Sequence, residues 1–356
     1  MSMLSQEKEV FWPPADELLE AAEQIRRRLG DWPAGSKQWR ICLSTPDHPS
    51  EGDLIVGGGL EKPLPEGVGL LNLEAGLATL KLNSADYTLK GEWSDDWPAA
   101  LAAFLDCGFE PHDALVLALA WRPANLDELD AWPVEFSVFP TVANLPAPPS
   151  KPFPHCPDRL GLYPVLPSAD WVERVLDHGV KTTQLRRKTT DSGDLKQQIE
   201  RSVAAGARHY AQVFINDHWR EAIKAGAYGV HLGQEDVETA DLNAIAEAGL
   251  RLGLSTHGYY EMLKALHFKP SYLALGAVFP TTTKVMPTAP QGLSRLTRYV
   301  RLLDGVVPLV AIGGIDGSVL RQILSTGVGS AAVVRAVTEA ADVPAAISAL
   351  QHEFAR

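Results

Sequence analysis

The sequence predicts an α/β fold in which a (β/α)8 TIM barrel is preceded by a smaller α/β or α+β domain. Three observations lead to this prediction. The chain has 356 residues, which is long for one compact domain. A proline-rich segment, residues 139–157, interrupts it. After that segment, short β-branched apolar runs alternate about eight times with longer stretches of helical periodicity.

The segment 139–157 reads FPTVANLPAPPSKPFPHCP. Proline has no N–H group to donate and keeps the backbone extended, so neither a helix nor a central strand is expected there. We therefore predict that it links an N-terminal accessory domain, residues 1–138, to a C-terminal barrel, residues 158–356.

The barrel elements follow from the alternating pattern. The predicted strands are Gly161–Leu166, Thr182–Arg187, Gln212–Asn216, Gly229–Gly233, Arg251–Ser255, Tyr272–Phe279, Pro308–Gly313 and Gly329–Val334. The predicted helices are Asp170–His178, Asp194–Ala205, Trp219–Ala225, Asp241–Ala248, Tyr260–Leu266, Leu293–Leu303, Ser318–Ser325 and Pro344–Phe354. An open, doubly wound sheet is the alternative. Its dinucleotide-binding form is disfavoured because no G-x-G-x-x-G follows the first strand.

The N-terminal domain shows a weaker pattern of mixed elements. The predicted helices are Ala15–Leu29, Trp97–Leu105 and Ala114–Trp121, and the predicted strands are Arg40–Leu43, Gly67–Leu71 and Ala78–Leu82. This mixture gives an α/β or α+β domain without further resolution.

The overall charge narrows the range of partners. A net charge of −12 and a pI near 5.3 disfavour nucleic acid and anionic membranes, so small-molecule substrates are expected. No stretch is long and apolar enough to span a membrane. The three cysteines show no metal-ligand spacing and fit a reducing cytoplasm. A homo-oligomer is compatible with the sequence, which does not fix the oligomeric state.

Polar residues collect at the carboxyl ends of the predicted strands, where active sites form in parallel barrels. Asp217 follows the third strand, and Asp236 follows the fourth, 19 positions later. Neighbouring strands lie about 4.8 Å apart, so the two carboxylates would repel each other unless a cation lay between them. Carboxylate and phosphate oxygens suit Mg2+, and we predict a magnesium site here. The alternative makes Asp217 a helix N-cap and Asp236 a turn residue.

Three cationic residues are expected at the same mouth. Arg186 and Lys188 follow the second strand, and Lys284 ends the stretch V-F-P-T-T-T-K after the sixth. Together with a metal ion they indicate a substrate with several negative charges, such as a diphosphate. A solvated basic turn is the alternative for Arg186 and Lys188, and a polar turn is the alternative for the threonines.

Glycines and histidines also occur at or near this mouth. Gly313 and Gly314 leave backbone N–H groups open to an anion after the seventh strand, which predicts a second phosphate site. His231 lies within a strand and His257 just beyond one, and each is expected to be a core or rim histidine rather than a general base. The sequence shows no recognisable Ser-His-Asp or Cys-His arrangement.

The motifs of the second half resemble those of a known family. They are GLYPV, QLRRK, FIND, YGVHLGQED, LGLSTH, ALGAVFPTTTK, APQGL, VAIGGI and GVGSAAVV. Their order and spacing resemble those of thiamine-phosphate synthases over residues 159–350. That family is a (β/α)8 barrel that joins 4-amino-2-methyl-5-hydroxymethylpyrimidine diphosphate to a thiazole phosphate with Mg2+, giving thiamine phosphate and diphosphate.

The resemblance implies roles for individual residues. It makes Asp217 and Asp236 the magnesium ligands. It makes Arg186, Lys188 and Lys284 catalytic cations that bind the diphosphate. The other substrate-binding residues that it implies are Gln184, Asn216, Ser255, Thr281, Thr283, Gly314, Val334 and Arg335. Arg335 departs from the serine that the family often has at this position.

The N-terminal part faintly resembles the closing helices of ribokinase-like hydroxymethylpyrimidine kinases, through the segment WPAALAAFLDCGFEPHDALVLALAW. The glycine-rich anion hole and catalytic aspartate of those kinases are replaced here by SDDW, so we hypothesise an inactive kinase remnant. Two other functions are alternatives for the barrel. A thiazole tautomerase would need acid and base groups rather than metal and diphosphate ligands. A non-catalytic sensor of thiamine precursors would not need a magnesium-diphosphate site.

Overall fold

The computed structural model describes residues 9–33, 37–58, 64–128, 130–283 and 288–355. The chain divides into two compact units, residues 1–145 and 146–356. Within the described ranges, no helix is both long and apolar enough to cross a membrane.

The first unit is an α/β domain built on a seven-stranded mixed sheet whose strands lie in sequence order. Its strands are β1 (Phe11–Trp12), β2 (Arg40–Cys42), β3 (Asp53–Val56), β4 (Gly69–Glu74), β5 (Leu77–Leu82), β6 (Ala85–Lys90) and β7 (Thr141–Val142). Strands β1 to β4 run parallel, and the pairs from β4 to β7 are antiparallel. Its helices are α1 (Asp16–Arg28), α2 (Trp97–Asp106) and α3 (Pro111–Ala120), with 3-10 turns at Pro123–Asp127 and Phe136–Val138. Helices α2 and α3 are apolar on nearly all faces because both are buried.

Strands β1, β3, β6 and β7 were not predicted from the sequence. For β3 and β7, the local sequence pattern argued against a strand. Strand β3 begins with Asp53, whose charge argues against a buried strand. Asp53 is 0% exposed, and its carboxylate accepts hydrogen bonds from Arg40 Nε and Nη2 at 3.0 and 2.8 Å. Strand β7 lies in the proline-rich segment predicted as a linker, yet Thr141 and Val142 pair with β6 at the edge of the sheet.

The second unit is a closed barrel of eight parallel strands, in the order β10-β11-β12-β13-β14-β15-β8-β9. The strands are β8 (Gly161–Leu166), β9 (Thr182–Leu185), β10 (Gln212–Asn216), β11 (Gly229–Leu232), β12 (Arg251–Thr256), β13 (Tyr272–Leu275), β14 (Leu309–Ile312) and β15 (Ser330–Val333). The predicted (β/α)8 barrel is confirmed. Strands β9 and β13 end earlier than predicted, so Arg186 and residues 276–279 lie in the loops at the carboxyl-end mouth.

Helices surround the barrel as the periodicity predicted. They are α4 (Ala169–Asp177), α5 (Ser192–His209), α6 (Trp219–Ala225), α7 (Gln234–Thr239), α8 (Leu242–Glu247), α9 (Tyr259–His267), α10 (Gly292–Leu303), α11 (Leu320–Leu324), α12 (Arg335–Thr338) and α13 (Val343–Phe354). Helices α7 and α12 were not predicted. Helix α7 changes the setting of Asp236. It turns Asp236 from a residue at a strand end into one in the first turn of a helix.

The end of the proline-rich segment packs under the barrel. Ser271 Oγ donates a hydrogen bond to the Pro154 carbonyl at 2.7 Å, and Arg251 Nε donates one to the His155 carbonyl at 2.9 Å. Cys156 belongs to the buried core of the barrel. Ser271 and Arg251 stand at the amino ends of β13 and β12, so this part of the predicted linker covers the mouth opposite the site.

Candidate active site

Asp217 follows β10 in a left-handed backbone conformation, with φ 62°. Its N–H donates to the His231 carbonyl at 3.0 Å, which continues the β10–β11 pairing past the end of the strand. A positive φ outside glycine is uncommon, and such residues cluster at functional sites. The backbone thus places Asp217 at the carboxyl-end mouth, where the sequence predicted it.

Asp217 and Asp236 interact directly. Desolvation, followed by the negative charge and hydrogen bond of Asp236, raises the pKa of Asp217 to about 6, while Arg186 and His218 act in the opposite direction. Asp217 is open to solvent on one side, so screening limits the repulsion. Asp236 is fixed because its Oδ2 accepts the Gly233 N–H at 3.2 Å.

The donor chemistry of this pair fits a hard divalent cation. Two carboxylates lie together at the rim, and the positive charge of Arg186 and His218 only partly offsets their negative charge. In the part of the chain that the structure describes, no cluster of three or more histidine, cysteine or acidic residues could hold a metal ion. The pair therefore offers two ligands and leaves the remaining positions to substrate and water.

The predicted cations separate into different environments. Arg186 is half-buried, and its N–H donates to the Leu166 carbonyl at 2.7 Å. Lys188 is exposed and lines a cleft of about 610 Å3 together with Asp217 and its neighbour His218. Lys284 lies outside the described residues, so the structure gives it no place.

Two side chains that the prediction did not use complete this cleft. Arg187 binds Asp194 through Nε and Nη2, each at 2.8 Å, and is thereby turned to the start of α5. His218 Nε2 lies 3.2 Å from the Arg187 carbonyl. Strand β9 ends at Leu185, and Arg187 and Lys188 both line this cleft from the loop that follows it.

The glycines after β14 pack against the loop after β13. Gly314 has φ 64°, and a Cβ there would lie 2.6 Å from the Pro280 carbonyl oxygen. Phe279 N–H donates to the Gly313 carbonyl at 3.0 Å. The loop before Thr281 and the loop of Gly314 therefore lie side by side, and a residue with a side chain could not replace Gly314 without moving them.

The other residues predicted for the second phosphate occupy neighbouring loops. Thr281 is half-buried, and its Oγ1 lies 3.3 Å from the N–H of the exposed Thr283. Val334 and Arg335 begin the short helix α12. The charge of Arg335 contributes to a lowered pKa of Asp316, behind the Ser318 hydrogen bonds, so Arg335 faces the loop that follows Gly314.

Gln184 and Ser255 are connected through the barrel interior. Gln184 Nε2 donates to Tyr163 Oη at 3.3 Å, and Tyr163 Oη lies 2.9 Å from Tyr272 Oη. Tyr272 Oη lies 2.7 Å from His231 Nδ1, and His231 Nε2 lies 2.8 Å from Ser255 Oγ. Sequence reasoning missed the tyrosines because they occur in apolar strands. Period-two alternation along β8 puts Tyr163 on the same side as Val165, the register partner of Gln184, and this could have placed Tyr163 inside the barrel.

Asn216 and His257 occupy separate positions at the rim. Asn216 ends β10 half-buried, in register with His231. His257 donates its backbone N–H to Glu261 Oε2 at 2.9 Å, and its Nδ1 lies 2.7 Å from the same oxygen. This arrangement closes the start of α9.

Comparison with known proteins places the second unit in a family. A family model described as thiamine monophosphate synthase matches residues 162–337. The thiamine-phosphate synthase of Neisseria meningitidis serogroup A is 60% identical over 192 residues, which are 54% of this chain and 93% of that protein. The thiamine-phosphate synthase of Pectobacterium atrosepticum is 54% identical over 193 residues, 54% of this chain and 91% of that protein. A solved thiamine phosphate pyrophosphorylase from Pyrococcus furiosus is 29% identical, covers 56% of this chain and 96% of its own, and has a TM-score of 0.48.

The matches to the two thiamine-phosphate synthases cover 93% and 91% of those proteins, at 60% and 54% identity. Because nearly all of each relative is matched at this identity, the chain belongs to the thiamine-phosphate synthase family.

Proposed function

We propose that the carboxyl-end mouth of the barrel joins 4-amino-2-methyl-5-hydroxymethylpyrimidine diphosphate to 4-methyl-5-(2-phosphoethyl)thiazole. The products are thiamine phosphate and diphosphate, so the chain is a thiamine-phosphate synthase, a transferase of thiamine biosynthesis. The curated relatives with this name match it at 54–60% identity. The observation that carries the proposed mechanism is the pair Asp217–Asp236, two interacting carboxylates at one mouth of the barrel beside Arg186.

The reaction needs a site that stabilises a departing diphosphate. We assign Arg186, Lys188 and Lys284 to its charge, with Asn216 as a further hydrogen-bonding group. Asp217 and Asp236 would bind Mg2+. When bound, the ion would neutralise negative charge on the diphosphate oxygens as the leaving group forms.

The chemical reaction, a substitution at the methylene carbon, needs no general base. The bond from the pyrimidine methylene carbon to the diphosphate oxygen breaks, and the electron pair leaves with the diphosphate. The aminopyrimidine stabilises the methylene cation, and the lone pair of the thiazole nitrogen then forms the new C–N bond. That nitrogen carries no proton to remove. The protein therefore contributes charge neutralisation and alignment, which accounts for the lack of an assigned base at the described mouth.

The second substrate is proposed to bind through its phosphate. Thr281, Thr283 and the backbone of Gly314 supply hydroxyl and N–H donors from two adjacent loops. The backbone N–H groups of Val334 and Arg335 supply further donors, and the Arg335 guanidinium replaces the family's serine hydroxyl with a charge. Gln184 and Ser255 are proposed to lie along the pyrimidine and its diphosphate.

A coupled assay tests the function. The purified chain, both precursors and Mg2+ should release thiamine phosphate and diphosphate. A protein that binds the precursors but forms no product would instead be a sensor. A protein that isomerises a thiazole without needing the pyrimidine diphosphate would be a tautomerase.

Substitution of Lys284 tests the charge assignment. Lys284→Ala should lower kcat by about 100-fold or more, because one cation at the developing negative charge is lost. Lys196→Ala is the matched control, since Lys196 is exposed on α5 and lies 3.8 Å from Glu200. Equal turnover in the two variants would remove Lys284 from the mechanism.

The first unit and the cell compartment remain separate proposals. We propose that residues 1–138 are an inactive kinase remnant with a structural or interaction role. The full chain should not phosphorylate the pyrimidine with ATP. Such an activity, if substitutions confined to residues 1–138 abolished it, would overturn that role. We also place the protein in the cytoplasm, a proposal supported by its low cysteine content of three in 356 residues.

A further inference from the structure

A chain of five hydrogen-bonding side chains crosses the interior of the barrel. Its members are Gln184, Tyr163, Tyr272, His231 and Ser255, and they come from five different strands. The first four are at most 6% exposed, whereas Ser255 is half-buried at the mouth. The chain therefore crosses the interior of the barrel, and Ser255, at the mouth, is its most exposed member.

The tyrosines stay protonated in this setting. Burial raises the pKa of both Tyr163 and Tyr272 above the usual range. Each hydroxyl then has one hydrogen to donate and lone pairs that accept. The direction of the whole chain depends on where each of these hydrogens points.

Gln184 fixes that direction. Its amide nitrogen can only donate, so Tyr163 Oη accepts from it and cannot return its own hydrogen to that atom. Tyr163 then donates to Tyr272, the next oxygen in the chain, and Tyr272 donates to His231 Nδ1. An accepting Nδ1 places the ring hydrogen on Nε2, which donates to Ser255 Oγ.

The opposite direction has a defect. If His231 Nδ1 carried hydrogen, Tyr272 would donate to Tyr163. With the Gln184 amide nitrogen facing Tyr163 Oη, the Tyr163 hydrogen would then point at that nitrogen, which cannot accept it. A buried donor without an acceptor is destabilising. A protonated imidazole meets the same defect, since it also carries hydrogen on Nδ1.

We propose that His231 is a positioning residue that donates from Nε2 to Ser255, so that the Ser255 hydroxyl points its own hydrogen into the mouth of the barrel. The chain runs Gln184 to Tyr163 to Tyr272 to His231 to Ser255 in one direction. Hydrogen bonds aligned in this way polarise one another, and this strengthens the last hydrogen bond in the chain. His231 thus does not act as a base on Ser255, and Ser255 is not an activated nucleophile.

The consequence for catalysis rests on the proposed function. A diphosphate oxygen gains negative charge as its bond to the methylene carbon breaks. A hydroxyl already aimed at that oxygen stabilises the charge without reorienting. No proton needs to be transferred, because the diphosphate leaves as an anion. Loss of the alignment should therefore affect kcat more than KM.

The tautomer of His231 tests the direction without substrate. Long-range 1H–15N correlation spectra of the full chain, labelled with 15N-histidine, resolve the ring nitrogens of the ten histidines, and His231→Gln identifies the signals of His231. The expected result is the neutral form with hydrogen on Nε2. Hydrogen on Nδ1, or a doubly protonated ring at neutral pH, overturns the proposal whether or not the protein makes thiamine phosphate.

Tyr272→Phe gives a second test, because it removes the hydroxyl that faces Nδ1. The His231 signals should then move toward a mixture of tautomers, and kcat should fall about 10- to 100-fold. Tyr228→Phe is the matched control, since Tyr228 packs against the same core outside this chain. An unchanged tautomer and unchanged kcat in Tyr272→Phe refute the proposal.

Rescue separates positioning from a purely structural role. In His231→Gln, the new amide nitrogen can still donate a hydrogen bond to Ser255. In His231→Leu, the side chain has no donor. We expect His231→Gln to recover much of the kcat that His231→Leu loses, with KM for the pyrimidine diphosphate changing by less than about threefold in both. Equal kcat in these two folded variants contradicts the donor role. If the unmodified protein forms no product, the proposed function is wrong, while the result on the tautomer of His231 is unaffected.

Discussion

Replacing Asp236 by asparagine should make Asp217 a stronger acid and the metal site a weaker one. The asparagine side chain keeps an oxygen that can accept the Gly233 N–H, so α7 should still begin at the same place. What is lost is a negative charge that raises the pKa of Asp217. In the protein without metal, the pKa of Asp217 should therefore fall from about 6 toward its ordinary value of 3.8.

The size of the effect follows from these two values. At pH 5, a carboxyl with a pKa of about 6 is roughly one-tenth ionised, and one with a pKa of 3.8 is roughly nine-tenths ionised. Asp236→Asn should move Asp217 from the first value toward the second. Desolvation, the largest cause of the raised pKa, remains in the variant, so the full change is an upper bound. Affinity for Mg2+ should nevertheless fall about tenfold or more, because one carboxylate ligand is gone.

Asp236→Asn should thus make Asp217 more acidic and yet weaken Mg2+ binding, and each effect is measured separately. A 13C carboxyl titration by NMR reports the pKa of Asp217, and calorimetric titration at about pH 7.5, above that raised pKa, reports Mg2+ binding. Glu235→Gln is the matched control, since it removes an equal charge from an exposed neighbour on α7. If Asp236→Asn leaves the titration of Asp217 where Glu235→Gln leaves it, the two carboxylates do not share a site.

The same pair predicts a pH dependence of stability. Without metal, Asp217 binds more protons in the folded protein than in the unfolded chain between pH 3.8 and about 6. The free energy of unfolding should therefore fall as the pH rises through this window. Asp236→Asn should flatten the fall, and bound Mg2+ should oppose it. A rise in stability over the window would contradict the raised pKa.

Two further predictions concern stability, one for each unit. Arg40→Ala leaves the 0% exposed carboxylate of Asp53 without its cation and should lower the stability of the first unit by about 3–5 kcal/mol, measured by urea unfolding of the full chain; a loss below about 1 kcal/mol would contradict the burial of this pair. Gly276→Ala places a Cβ against the Ile312 carbonyl oxygen and should lower the stability of the barrel by about 2 kcal/mol or more in thermal unfolding. Gly317→Ala is its control, because a Cβ there meets nothing within 4 Å, and equal melting temperatures would refute the clash.

The barrel was predictable because its signal is repetitive. Each strand is a short apolar run, each is followed by a helical segment, and errors at one boundary do not affect the next. The carboxyl-end rule then assigned Asp217 and Lys188 to one mouth from chain order alone. The boundaries were less accurate. Helix α7 was missed because Gln234–Thr239 is short and has no apolar stripe, and this hid the helical position of Asp236.

The first unit was less predictable because its strands are held by contacts distant in sequence. Asp53 looks unsuited to a buried strand until Arg40, on the neighbouring strand, is known to pair with it. Thr141 and Val142 look like part of a linker until the edge of β6 is known to lie beside them. In both cases, tertiary pairing overrides the local pattern.

The interior chain was not predictable for a different reason. Taken by itself, His231 gives no reason to assign it a catalytic or positioning role. Its function depends on Tyr272 and Ser255, which lie on other strands and become neighbours only after the barrel closes. A lone polar residue in an apolar strand is thus a reason to look for partners on the neighbouring strands, because a buried polar group needs them.

His231 also connects the interior of the barrel to its mouth. Its ring contacts Ser255, while its carbonyl accepts the Asp217 N–H at 3.0 Å. A side-chain substitution at position 231 changes the first contact and leaves the second available. Variants of His231 should therefore alter kcat while keeping the Mg2+ affinity, whereas a variant that shifts the β11 backbone should alter both. Weakened Mg2+ binding in a folded His231→Gln protein would mean that the ring, and not only the carbonyl, supports the carboxylate pair.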